Sequence, residues 1–168
     1  MRELGAKLLG LVTALRRNHG LEHATISLLT RGKKKSVVGR STPWGFYVYG
    51  DFATQEVAEA AAEALRRLKE GEEDLAVSPF CGTNLAVTAI LTGIVAVAVL
   101  ARGRPLQRLP HVVTATLAVS LLAQPMGNLV QKHGTTSSAL GSLSIRRIEQ
   151  GRRAGVVYHR VETGPALS

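Results

Sequence analysis

Five residues near the amino end, His19-Gly20-Leu21-Glu22-His23, concentrate more reactive side chains than any other stretch of this chain. On a helix the two imidazoles stand four positions apart on one face, so both can reach one metal ion. Glu22 sits beside them and is the candidate catalytic residue, a general base for a metal-bound water. A zinc site needs further ligands. Cys81 and His133 supply a thiolate and an imidazole, and they flank the two long apolar runs of the chain. The candidate metal ligands are therefore His19, His23, Cys81 and His133, with zinc as the expected ion. A plainer reading of the same string is a helix start with two surface histidines and an acid favoured by the helix dipole. For Cys81 the plainer reading is a small buried hydrophobe. For His133 it is a helix C-terminal cation.

The apolar runs decide how such a site could assemble. Residues 84–101 and 112–131 contain no charged side chain. A helix rising about 1.5 Å per residue needs about 20 residues to cross the hydrocarbon layer of a bilayer. Two transmembrane helices follow, at about residues 82–101 and 111–131, and the short connection between them makes them antiparallel. A hairpin centred near Leu106 sets Asn84 level with Asn128 and Cys81 level with Gln131. Cys81 and His133 then meet at one end of the hairpin. Pro125 and Gly127 are expected to kink the second span, and Gln124 and Asn128 need partners there.

The rest of the chain reads as a small domain of helices and an antiparallel sheet, an α+β membrane protein as a whole. Leu4, Leu8, Leu11, Val12 and Leu15 recur at helical spacing among Arg2, Lys7, Arg16 and Arg17, so residues 2–17 form an amphipathic helix with a basic face. It is suited to the membrane interface or to packing on the domain. Asn18 is the expected N-cap of a second helix, and RGKKK ends the pattern. Residues 36–50 predict two short strands, and residues 54–71 a helix with Val57, Ala61, Ala64, Leu65 and Leu68 on one face and Gly71 as its stop. The segment DLAVSP reads as one more short strand. After Gly134 two alternating runs around a Gly-containing turn predict a hairpin that joins the first strands in one sheet. His159 alternates there with Tyr158 as a surface or cross-strand residue. The divisions are 1–35 (the two N-terminal helices), 36–80 (strands and helix), 81–133 (the transmembrane hairpin) and 134–168 (the C-terminal β-hairpin).

A net charge of +9 suits anionic lipid headgroups or nucleic acid. Seven aromatic residues in 168 are too few for a base-stacking platform, so nucleic acid is disfavoured. The single cysteine excludes an intrachain disulfide. The first residues lack the continuous apolar core of a secretory signal and are expected to persist in the mature protein. Arg102, Arg104 and Arg108 lie between the spans, against Arg66, Arg67, Lys69, Lys132, Arg146 and Arg147 on the other side. Basic residues stay on the cytoplasmic side, so the domain is expected in the cytoplasm.

The strings NHGLEHAT (Asn18 to Thr25), STPWGFYVYG (Ser41 to Gly50), EALRRLKEG (Glu63 to Gly71), CGTNL (Cys81 to Leu85) and PMGNLVQKHGTT (Pro125 to Thr136) follow one another along the chain. In these the chain resembles, over nearly its whole length, a family of uncharacterised bacterial two-span integral membrane proteins. That resemblance implies no activity. Locally, the H-x-x-E-H order resembles the motif of inverted zinc metallopeptidases. Their pattern takes an acidic third ligand further downstream, for which Glu56, Glu59 and Glu63 are the available acids. Two functions follow as expectations: a membrane-embedded metal-dependent hydrolase or peptidase, or a non-catalytic assembly factor or small subunit of a membrane complex. Small residues along both spans suit close helix packing, and so a homo-oligomer or a membrane-protein partner.

Overall fold

The computed structural model describes residues 2–33, 35–101 and 105–166, and the chain divides into two units. The first comprises Met1–Ser78 and Thr135–Ser168, and the second Pro79–Gly134. Arg102 and Arg104, counted above for their charge, and Lys34 of the RGKKK run lie outside the described residues. The described residues form an α+β fold of four α-helices and one four-stranded antiparallel sheet.

In the first unit, helix α1 (Arg2–Thr30) is followed by strands β1 (Val38–Thr42) and β2 (Gly45–Tyr49) and helix α2 (Thr54–Lys69). Strands β3 (Leu143–Arg153) and β4 (Val156–Pro165) complete the sheet, in the order β1-β2-β4-β3. The two predicted hairpins thus join through β2 and β4, with Val48 opposite His159 and Phe46 opposite Val161. Alternation sends Phe46, Val48, Val157 and Val161 into the core, while Tyr47, Tyr49 and Tyr158 cluster on the other face at ring separations near 6 Å. The β3–β4 turn is Ala154–Gly155, and both residues have positive φ, as a two-residue hairpin turn requires.

Helix α2 buries Val57, Ala61, Ala64 and Leu68, the expected face, and packs on α1 and β3. Glu56 accepts a hydrogen bond from the Ala53 amide and so caps its first turn. At the other end Gly71 takes φ +97°, which terminates the helix as foreseen. The DLAVSP segment departs from expectation. Glu73–Ala76 forms a single 3-10 turn instead of a strand, with Ala76 buried against the core.

The amino-terminal region also differs. The two helices expected around Asn18 are one continuous helix of 29 residues. Asn18 is no cap: it is fully buried, donates to the Thr42 carbonyl at 2.9 Å and accepts from the Thr163 hydroxyl at 2.7 Å. Those tertiary bonds outweigh the residue's preference for helix ends. Between Glu3 and Thr13 every residue of α1 is exposed, and from Asn18 to Thr25 nearly every one is buried.

The second unit is an antiparallel pair, α3 (Gly82–Leu100) and α4 (Pro105–Val130), continued by a π-turn at Gln131–Thr135. Helix α4 starts at Pro105, earlier than residue 111, because proline is well suited to a first helical position, and it runs on through Pro110 and Pro125. Both helices are long and apolar enough to cross a membrane. Their large side chains point outward, with Leu85 73%, Ile94 61% and Leu121 80% exposed. The polar groups turn inward. Asn84 donates to Gln124, to Asn128 and to the Pro79 carbonyl, and accepts from Gln131 at 2.8 Å. The expected level of Asn84 with Asn128 is met by the 3.2 Å bond between them. A Cβ at Gly127 would collide with the Asn84 amide, so glycine is what lets the two helices close around this cluster.

Candidate metal centre

Helix α1 places His19 and His23 one turn apart in its buried half, as the spacing predicts, and their ring centroids are 4.4 Å apart. Each imidazole is oriented by a backbone carbonyl of its own unit. His19 Nδ1 lies 3.0 Å from the Thr135 oxygen, and His23 Nδ1 lies 2.9 Å from the Ala76 oxygen. A carbonyl only accepts, so both Nδ1 atoms carry the proton. The lone pair of each neutral ring is then on Nε2. Fixing the tautomer through Nδ1 in this way is what metal-binding histidines require of their surroundings.

Gly20 makes that arrangement sterically feasible. A Cβ there would run into the Ser137 carbonyl and crowd the Ala76 side chain. The bare helix surface admits both chain segments, which then reach the two imidazoles. Arg16 secures the Thr136–Ser137 segment, its Nη2 donating to the Thr136 carbonyl at 3.2 Å and its carbonyl accepting from the Ser137 amide at 3.0 Å.

Glu22 points to the sheet. Its buried carboxylate accepts from the Ser41 hydroxyl at 2.5 Å, and a Cβ on Gly39 would overlap it. The glycine in β1 is therefore the space in which the carboxylate lies. The acids proposed as a downstream peptidase ligand are engaged elsewhere on the α2 surface. Glu56 pairs with Lys33, Glu63 with Arg66, and Glu59 accepts from Gln55. The hydrogen bond from Lys33 holds the Glu56 carboxyl below its ordinary range, and Arg66 does the same for Glu63.

In the second unit Cys81 is buried and is the N-cap of α3, its sulfur accepting from the Thr83 amide at 3.4 Å. His133 lies exposed on the π-turn that follows α4. His159 is a correction. It is fully buried in the sheet core, and neither ring nitrogen has a hydrogen-bond partner among the described residues. Burial pushes its pKa down. The signal was in the sequence, since His159 shares strand parity with Val157 and Val161, two inward positions.

Comparison with known proteins gives a family and no activity. A model for a domain of unknown function, DUF6391, matches residues 14–148, which include the His19–His23 pair and both apolar helices. An uncharacterised protein of Picosynechococcus sp. is 34% identical over 148 residues, covering 81% of this chain and 72% of its own length. No solved structure matches. With most of its length inside that match, the chain belongs to the DUF6391 family.

Proposed function

We propose that the chain is an integral membrane protein that crosses the bilayer through α3 and α4 and holds a metal ion on the His19–His23 pair. The observation that carries the metal reading is the pair of Nδ1–carbonyl bonds, which leave two Nε2 lone pairs on one helix face. A thiolate from Cys81 would complete a three-donor set with the two imidazoles. Two imidazoles and a thiolate suit a borderline cation, zinc above all. Covalent reach supports the grouping. Cys81 follows the carbonyl bound by His23 by five residues, a reach of at most about 17 Å. His133 precedes the carbonyl bound by His19 by two residues.

Support for the membrane reading is the length of the two helices and their outward-facing aliphatic side chains, with amides clustered between them. The basic residues counted above favour a domain on the cytoplasmic side.

Three protein ligands leave a coordination position for water, and His133 as a fourth would close the site. The open form could do hydrolysis with Glu22 as base. The Ser41 bond favours the second reading, a metal held without turnover in an assembly factor or small subunit, because it commits the carboxylate to β1.

Metal analysis of the purified full chain tests the site. About one zinc per chain is expected, with loss in His19→Ala, His23→Ala and Cys81→Ala. A metal-free unmutated protein removes the proposal. Retention of metal in His133→Ala leaves the open form, and Glu22→Gln should then keep the metal and abolish any hydrolysis. Unchanged hydrolysis in that variant rejects Glu22 as the base. A reporter fused after Ser168 should stay cytoplasmic, and an exterior signal reverses the orientation.

A further inference from the structure

The amino-terminal half of α1 has no role in the metal site, yet it displays an unusual surface. Leu4, Leu8, Leu11 and Leu15 form a stripe with 74%, 62%, 43% and 37% of their area exposed, and Val12 extends it. A stripe of this length on an isolated helix, rimmed by charge, marks a contact with something apolar. The exposed Lys7 borders it on one flank, by the angular spacing of 100° per residue implied by 3.6 residues per turn.

Geometry within the first unit says which way the stripe faces. Leu11, Leu15, His19 and His23 form a single row at four-residue spacing, so they share one side of the helix. The last two bind the carbonyls of Thr135 and Ala76. Those are the places where the chain enters and leaves this unit, since the apolar unit begins at Pro79 and ends at Gly134. The leucines therefore look toward the side from which both connections depart. No linker separates the units in sequence, so the domain is tethered within a few residues of whatever surrounds the apolar helices.

We propose that the leucine stripe of α1 lies in the interfacial layer of an anionic phospholipid bilayer, making the helix a second, in-plane membrane contact. This rests on the reading of α3 and α4 as membrane-spanning. An amphipathic helix of this kind buries its apolar face about 5–10 Å into the headgroup boundary, with its basic flank meeting lipid phosphates. A second copy of the chain could also cover leucines, but it would give no reason for the exposed Lys7 beside them, which an anionic surface does.

The test uses the full chain in vesicles of phosphatidylcholine and phosphatidylglycerol. Trp44 is the only tryptophan, so Trp44→Phe combined with Leu8→Trp gives one indole on the stripe. Position 8 is exposed, so the fold should tolerate the change, and Leu4→Trp in the same background repeats the measurement one turn away. The expected result is blue-shifted emission, quenched about twofold more by lipids brominated near the headgroup end of the acyl chain than by those brominated near the methyl end. Unquenched, water-like emission at both positions overturns the proposal. Blue-shifted emission that no brominated lipid quenches overturns it in favour of a second copy. Co-flotation with the vesicles is read on the same samples. Protein that floats with an unquenched indole refutes the stripe contact alone, whereas protein that does not float refutes the spanning reading and the stripe contact with it.

Discussion

The two units of this chain differ in which large side chains they bury. In the sheet-bearing unit the fully enclosed residues include Phe46, Leu21, Val48, Val57 and Val161. In the helix pair the buried residues include Asn84 and Gln131 beside the small Ala123, while leucine, isoleucine and valine face outward. Water explains the first pattern, because burying apolar area away from it drives folding. It cannot explain the second. In hydrocarbon an outward leucine costs nothing, and two helices are held by small residues and by amides that find partners in one another. On the proposed membrane-spanning reading, one polypeptide is matched to two solvents, and the change occurs within a few residues of Ser78 and Thr135.

Substitutions can break or sharpen that contrast. The largest effect is expected from Phe46→Ala, where a cavity in the sheet core should cost about 3–5 kcal/mol in a denaturant titration of the detergent-solubilised protein. Full stability in that variant would show that the sheet unit is not held by its apolar core. Next comes Asn84→Ala, which removes four hydrogen bonds at one end of the hairpin and should cost up to about 2 kcal/mol in helix-pair stability in micelles. A gain in stability would mean that the amides are a burden on the pair and not its fastening.

A smaller effect is expected from pH. The folded state keeps His159 neutral, because burial lowers its pKa from the ordinary 6.5. The unfolded chain binds the proton more readily, so the contribution is fully present above pH 6.5 and declines as pH falls toward the folded value. Thermal melts should show an acid-side decline that His159→Leu reduces, and an identical decline in the variant would assign it to other groups. The least effect belongs to Leu121→Ala, expected within about 0.5 kcal/mol because the side chain is 80% exposed. A loss comparable to that of Phe46→Ala would erase the contrast by showing that this face packs against protein.

Much of this was legible from periodicity. The α2 face, the two hairpins and their union in one sheet follow from patterns of 3.6 and 2, which local sterics enforce. The i,i+4 histidine pair was equally plain. Less legible was anything set by contacts between distant segments. Asn18 looks like a cap until Thr42 and Thr163 are brought to it. Ala76 reads as part of a strand, yet it lies in a turn because its carbonyl meets His23 and its side chain abuts Gly20. Glu22 was read as a base from its place beside His23. That it points to Ser41 depends on a glycine in β1, seventeen positions along the chain, and no local pattern encodes this.

The order of the sheet carries a consequence for how the protein is made. Strand β4 lies between β2 and β3, and it is synthesised after every other strand of the sheet. Before it arrives, β2 has only β1 beside it, and Phe46 and Val48 lack the strand that covers their flank. The domain whose first half is synthesised before the hairpin therefore cannot close until both apolar helices have been translated. Its completion reports that the hairpin is finished. Nascent chains arrested before Val156 should remain protease-sensitive across β1 and β2, and chains released after Pro165 should resist.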